Sequence, residues 1–143
     1  MCKQHRNIEI KFVDEWPENE IVELYKAGGW WKDQYQSSGL KDLIKGSFAF
    51  AIAIDKKSKK AVGMWRLLSD GISDAYIQDL IVLPDYRKKG IGKKIVYELI
   101  KHCKKNDINW IALISEPGQE EFYKKIGFEN MKKYVPLKYK EEK

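Results

Sequence analysis

Cysteine and histidine are scarce in this sequence, with two of each among 143 residues. Neither type shows the spacing of metal ligands, so no metal site is expected. Cys2 stands near a chain end and Cys103 falls on the apolar stripe of a helix. Both are expected to be free thiols in a reducing compartment, without a disulfide. Long hydrophobic runs are also missing. None approaches the roughly 18 residues of a membrane span, and MCKQHRNIEIKF has no apolar signal-peptide core. The cytoplasm is therefore the expected location, with no membrane partner. Acidic residues are outnumbered, 21 against 27 Lys and Arg, which leaves a net charge of +6. The excess lysines are scattered: Lys56, Lys57, Lys59 and Lys60 in one turn, then Lys132, Lys133 and the tail. With no aromatic platform among them, they read as solvated surface and no nucleic-acid partner is expected. One cluster differs, Lys88, Lys89, Lys93 and Lys94, because it surrounds a glycine-bearing turn. No repeat or linker is visible.

What is present is enough for one domain over residues 1–143, with a real core. Ile8, Ile10 and Phe12 alternate with polar residues and predict a half-buried strand. Trp16-Pro17 starts a helix with Glu18 and Glu20 in its first turn, and Gly28-Gly29 ends it. A short helix uses Leu40, Leu43 and Ile44. Phe48 to Ile54 reads FAFAIAI, a strand covered on both faces and closely on its alanine side. Ala61 to Leu68 pairs back as a hairpin, and Ala75 to Leu83 forms the next strand. A helix follows to about Lys105, then a strand from Trp110 to Ile114, then a helix holding Phe122, Tyr123 and Ile126. Phe128 and the segment Tyr134 to Tyr139 are expected as two closing strands. Hairpins combined with one strand–helix–strand crossover give a mixed, mostly antiparallel sheet flanked by helices, an α/β (α+β) class.

The chain is organised around Ile77 to Lys94, IQDLIVLPDYRKKGIGKK. An apolar, β-branched strand stops at Pro84, passes through Arg87-Lys88-Lys89-Gly90-Ile91-Gly92, and opens a helix with Ile91, Ile95, Leu99 and Cys103 on one stripe. Such a turn aims unpaired backbone N–H groups and the positive helix end at one point, which suits a phosphate. The glycines let an anion approach the backbone. A Walker loop is excluded, because Arg87 stands where its first glycine would be and Lys94 where its Ser or Thr would be. The dinucleotide fingerprint is excluded by Ile95 at its third glycine.

The remaining pattern, V-x-P followed by R-x-x-G-x-G, resembles the acetyl-CoA loop of the GNAT N-acetyltransferases. A second stretch, Glu121-Phe122-Tyr123-Lys124-Lys125-Ile126-Gly127-Phe128, resembles the family's C-terminal segment, and the element order resembles its fold over essentially the whole chain. The resemblance implies an acetyl-CoA-dependent transfer of acetyl directly to a primary amine of a small molecule or peptide. It implies backbone contacts to the pantetheine arm at Leu80 and Val82, and pyrophosphate contacts from Arg87, Lys88, Lys89, Gly90, Ile91, Gly92 and Lys93. Phe122 joins the cofactor contacts. Leu80 or Ile81 would supply the amide that polarises the thioester oxygen, and Tyr123 the proton for the leaving thiolate. Many relatives place a glutamate where Tyr76 stands here, so the general base does not carry over. Asp79 is the nearest carboxylate, expected either as base or ammonium ligand or as a structural cap at the strand break. Trp30, Trp31 and Tyr35 fall where the family builds its acceptor site and are expected to hold a flat or cationic amine or to pack the core. Trp65, Trp110, His5 and His102 are expected in core or surface positions without a role. A homodimer follows only from the family. A CoA-binding sensor without turnover is the other reading the residues leave open.

Overall fold

The computed structural model describes residues 7–141, so Cys2 and His5 lie outside the described residues. These residues divide into two compact units, one running to Leu113 and the other from Ile114 onward.

The first unit is built on a sheet of β1 (Ile8–Phe12), β2 (Ala49–Asp55), β3 (Lys60–Ser69), β4 (Asp74–Val82) and β5 (Trp110–Leu113), whose spatial order is the order in the chain. The strands β1 to β4 pair antiparallel, and β5 lies parallel to β4. Helices α1 (Glu18–Ala27) and α2 (Leu40–Gly46) connect β1 to β2, and α3 (Ile91–Lys105) connects β4 to β5, as a parallel pair requires a crossover. Helix α1 starts behind Pro17 with Glu18 and Glu20 in its first turn, and Gly28 and Gly29 terminate it, Gly29 at φ 77°. Glu20 is more than a dipole partner. Its Oε1 accepts from Trp16 Nε1 at 2.9 Å and from the Ala61 N–H at 2.7 Å, which ties the helix start to β3.

The alternation in β2 explains its two-sided burial. Phe50, Ile52 and Ile54 join Met64 of β3 in a core with Ile21, Leu24 and Tyr25 of α1 and Leu40 and Ile44 of α2. On the other face the alanines of β2 and Gly63 of β3 keep the surface low for α3. A Cβ on Gly63 would stand 3.2 Å from the Ile95 side chain and 3.2 Å from the Ile81 carbonyl oxygen. Ile91, Ile95, Val96, Leu99 and Cys103 of α3 are all buried, and Trp65 Nε1 donates to the Ile95 carbonyl at 3.1 Å. Burial pushes the Cys103 thiol up to about 11.

In the second unit the regular element is α4 (Glu120–Lys124). The two closing strands expected at Phe128 and at Tyr134 to Tyr139 do not form among the described residues. Their backbone bonds turn inward instead of reaching a neighbour. Phe128 N–H bonds the Tyr123 carbonyl, Lys132 N–H that of Asn130, and Tyr134 N–H that of Met131. Lys133 sits at φ 72°, outside the extended region.

Candidate active site

Strand β4 has two edges with different fates. Toward β3 it pairs up to Val82, opposite Gly63. Toward β5 its pairing stops at Ile77, opposite Leu113. Among the described residues the edge from Gln78 to Val82 has no ladder partner on that side. The Leu83 N–H donates to the Val62 carbonyl at 2.8 Å, so alternation turns Ile81 toward β3 as well and aims the Val82 amide at the open edge. Ile81 pairs with Met64, and its side chain packs against the core. Of the two amides expected to polarise a carbonyl, that of Ile81 is thus turned toward β3.

The edge runs directly into the basic turn. A 3-10 turn, Pro84–Tyr86, follows Leu83. Its Tyr86 hydroxyl donates to Asp55 Oδ2 at 2.5 Å, anchoring the turn to the end of β2. That bond holds the Asp55 carboxyl below its usual range and raises the Tyr86 phenol. Arg87 Nε donates to the Val82 carbonyl on the open edge at 2.7 Å. Lys88 takes φ 62° and Gly90 φ 80°. The left-handed conformation would cost a side-chain-bearing residue about 1–2 kcal/mol, so glycine at 90 removes a strain as well as a Cβ. Gly90 caps α3 without a side-chain bond, and its carbonyl accepts the Lys94 N–H at 3.0 Å. The amides of Ile91, Gly92 and Lys93 thus precede the first intrahelical bond. The first turn of α3 contains no acidic residue and two lysines, Lys93 and Lys94. This is the reverse of what the helix dipole favours, so the positive end is uncompensated and left for an anion. Lys94 itself turns away, its Nζ donating to the Ile8 carbonyl at 3.1 Å. Ile91 is buried and offers only its backbone. Lys89 lies over the Tyr86 ring, Lys93 over that of Tyr97, and Lys88 is exposed.

Asp79 interrupts β4 at φ 60°. Its Oδ2 accepts from the Tyr25 hydroxyl at 2.8 Å and from Arg66 Nε at 2.7 Å. Arg66 Nη2 also donates to Gln78 Oε1 at 3.2 Å. Burial, and then the Asp79 charge, raise the Tyr25 phenol far above its ordinary value, so it remains a donor. Nothing in the sequence pointed to Tyr25, Arg66 or Gln78. Tyr25 is 54 positions from Asp79 and carries the spacing of an ordinary core residue.

Tyr25 also begins an aromatic series. Its ring centroid is 6.2 Å from that of Trp30 and 6.4 Å from that of Trp31, and Trp31 is 5.6 Å from Tyr35. Both tryptophans are partly buried and pack against the core. A helix could not turn two adjacent rings inward, but residues 30–36 are not helical. Trp30 lies over Gly28, where a Cβ would meet its ring at 2.6 Å. Tyr35 is exposed, with Lys32 Nζ 5.9 Å from its centroid.

In the second unit, Tyr123 packs edge-on between Phe122 at 5.0 Å and Phe128 at 5.8 Å. Burial, and then the Glu116 charge, push its phenol up to about 12. Among the described residues no cluster of His, Cys, Asp and Glu could hold a metal ion, and no helix is long and apolar enough to cross a membrane.

Residues 19–136 match the family model of the acetyltransferase (GNAT) domain. The chain is 34% identical over 111 residues to the uncharacterized N-acetyltransferase ycf52 of Pyropia yezoensis, covering 76% of this chain and 63% of that protein. It is 31% identical over 119 residues to the chloroplastic GCN5-related N-acetyltransferase 2 of Arabidopsis thaliana, covering 80% of this chain and 45% of that one. It thus spans about half to two thirds of the length of these relatives. A solved GNAT family acetyltransferase from Streptococcus pneumoniae superposes with a TM-score of 0.78 at 28% identity, over 95% of this chain and 99% of the other.

Proposed function

The chain belongs to the GNAT acetyltransferase family, and from that premise we propose that it transfers the acetyl group of acetyl-CoA directly to the primary amine of a small molecule or peptide. The observation that carries the reading is the open edge of β4, which leads without a break into left-handed Gly90 and the uncompensated start of α3. An extended amide-bearing arm fits the first and a pyrophosphate the second. The matching stretch of the family model crosses the boundary between Leu113 and Ile114, which supports assigning both units to one GNAT domain.

In this reading Leu80 and Val82 bind the pantetheine arm through their backbone, and the amides from Lys88 to Lys93 hold the pyrophosphate. Acetyl-CoA supplies an activated thioester. The Leu80 N–H stabilises the charge that develops on its carbonyl oxygen. Tyr123 donates the proton that the leaving thiolate needs, and Phe122 packs beside it. An amine with a pKa of about 10.4 is neutral in roughly one molecule in 2,500 at pH 7, so the acceptor must lose a proton at the site. The rings of Trp30, Trp31 and Tyr35 are suited to an ammonium or a flat group. The buried free thiol of Cys103 agrees with a reducing compartment, for which we propose the cytoplasm.

The test is Gly92→Val. The added side chain blocks the approach of the pyrophosphate, and calorimetry should show CoA affinity falling at least about tenfold while the melting temperature stays near wild type. Unaltered affinity in the folded variant rejects the loop. Acetyl-CoA turnover across polyamines, aminoglycosides, amino acids and amine-bearing peptides identifies the acceptor, and binding without turnover on any amine leaves a CoA-binding module instead.

A further inference from the structure

We infer that Tyr25, Asp79 and Arg66 form a clamp that holds the irregularity in β4 and thereby aims the Leu80 amide at the open edge, so that Asp79 works as a positioning residue and not as the general base. The inference rests on the proposed acetyl transfer for its catalytic part, and on geometry alone for the clamp.

Three observations converge on one residue. The register of β3 and β4 shifts here. Met64 faces Ile81 and Arg66 faces Gln78, so β4 takes three steps while β3 takes two. The extra residue lies at Asp79-Leu80, and a bulge of this kind re-aims the groups beside it. Second, Asp79 holds φ 60°, a left-handed conformation that favours glycine, and that Asp and Asn tolerate better than other residues. Such a conformation persists only where the surroundings determine it. Third, the surroundings do so from two elements at once. Tyr25 reaches Oδ2 from α1 and Arg66 from β3, with the Arg66 and Asp79 side chains only 19% and 23% exposed. Arg66 also bonds Gln78, the residue before the bulge.

The same contacts assign one carboxylate oxygen to the clamp. Oδ2 accepts two hydrogen bonds, one of them from a guanidinium, and is thereby committed to the clamp, so abstraction by a base would fall to Oδ1 alone. Leu80 follows Asp79 directly, so any rotation of the Asp79 backbone toward ordinary strand values turns the Leu80 N–H away from the edge.

Asparagine separates the two roles. It adopts the left-handed conformation readily, and its side-chain oxygen accepts from both Tyr25 and Arg66, but it does not act as a base. Asp79→Asn is expected to lose less than about tenfold in kcat, whereas Asp79→Ala, which gives up both the conformation and the clamp, should lose about 10²-fold or more. Tyr25→Phe and Arg66→Met should each lower kcat with the acetyl-CoA KM near wild type, and each should shift the backbone amide resonance of Leu80. Asp79→Asn as inactive as Asp79→Ala, with the acidic limb of the kcat/KM pH profile gone from both, would overturn the inference in favour of a base. So would an unmoved Leu80 resonance in Tyr25→Phe and Arg66→Met. If the wild-type chain turns over no amine, the proposed function fails, while the Leu80 resonance still decides whether the clamp holds the bulge.

Discussion

At the scale of single residues, the proton inventory is set by burial. Tyr123 is one such case. Its phenol is pushed up to about 12, against about 8.5 for a thiol. Handing over its proton is uphill by about 3.5 pKa units, on the order of 5 kcal/mol. A finished phenolate is therefore not a stable product. In the proposed role, the transfer would have to be concerted with C–S cleavage, while negative charge grows on sulfur. Tyr123→Phe keeps the ring between Phe122 and Phe128 and removes only the hydroxyl, so kcat should fall by about 10²–10⁴ with CoA affinity and fold retained. A wild-type kcat in Tyr123→Phe, under conditions where chemistry limits the rate, would leave Tyr123 as packing alone. The family resemblance around Tyr123 was legible in the sequence because that stretch is contiguous. Tyr25 and Arg66 were not, because the bonds that define them join positions 54 and 13 residues from Asp79.

At the scale of elements, the end of α3 carries a titration that the rest of the fold feels. His102 stacks on Phe12 of β1 at 4.7 Å and lies 5.8 Å from Phe48. Burial, and then the charge of Lys105, hold its imidazole below the ordinary 6.5. A group whose folded value is depressed in this way binds its proton more tightly when unfolded. Its contribution is present above about pH 6.5 and is lost as the pH falls below it. His102→Phe preserves the ring contacts without the titration, so its melting temperature should gain on wild type as the pH is taken from 7 to 5. A gap that does not change with pH over that range would refute the assignment. The elements themselves were mostly legible, since alternation, proline and glycine marked β1 to β5 and α1 to α3 within a residue or two. What escaped was whatever depends on a partner. The closing strands at Phe128 and Tyr134 had apolar residues but local turn bonds instead of a ladder. The bulge in β4 sits at an aspartate where no glycine advertises it.

At the scale of the whole molecule, the sheet shields one chemical reporter. Cys103 is fully buried on α3, with a thiol raised to about 11. In a Cys2→Ser background, its reaction with a disulfide reagent at pH 8 should be at least about 10³-fold slower in the native protein than in denaturant, because only the transiently open form reacts. Rates within tenfold of each other would contradict the burial. A different consequence follows from the arrangement of the strands, whose order across the sheet repeats their order along the chain. During synthesis, β2 emerges after two helices to find β1 already made, and β3 and β4 then close in turn on the strand before them as antiparallel hairpins. The last strand cannot join this way, since its place beside β4 exists only after α3 has crossed over. On the ribosome the open edge of β4 is thus older than the strand that borders its far end, and a nascent chain halted before Trp110 would display that edge along its full length.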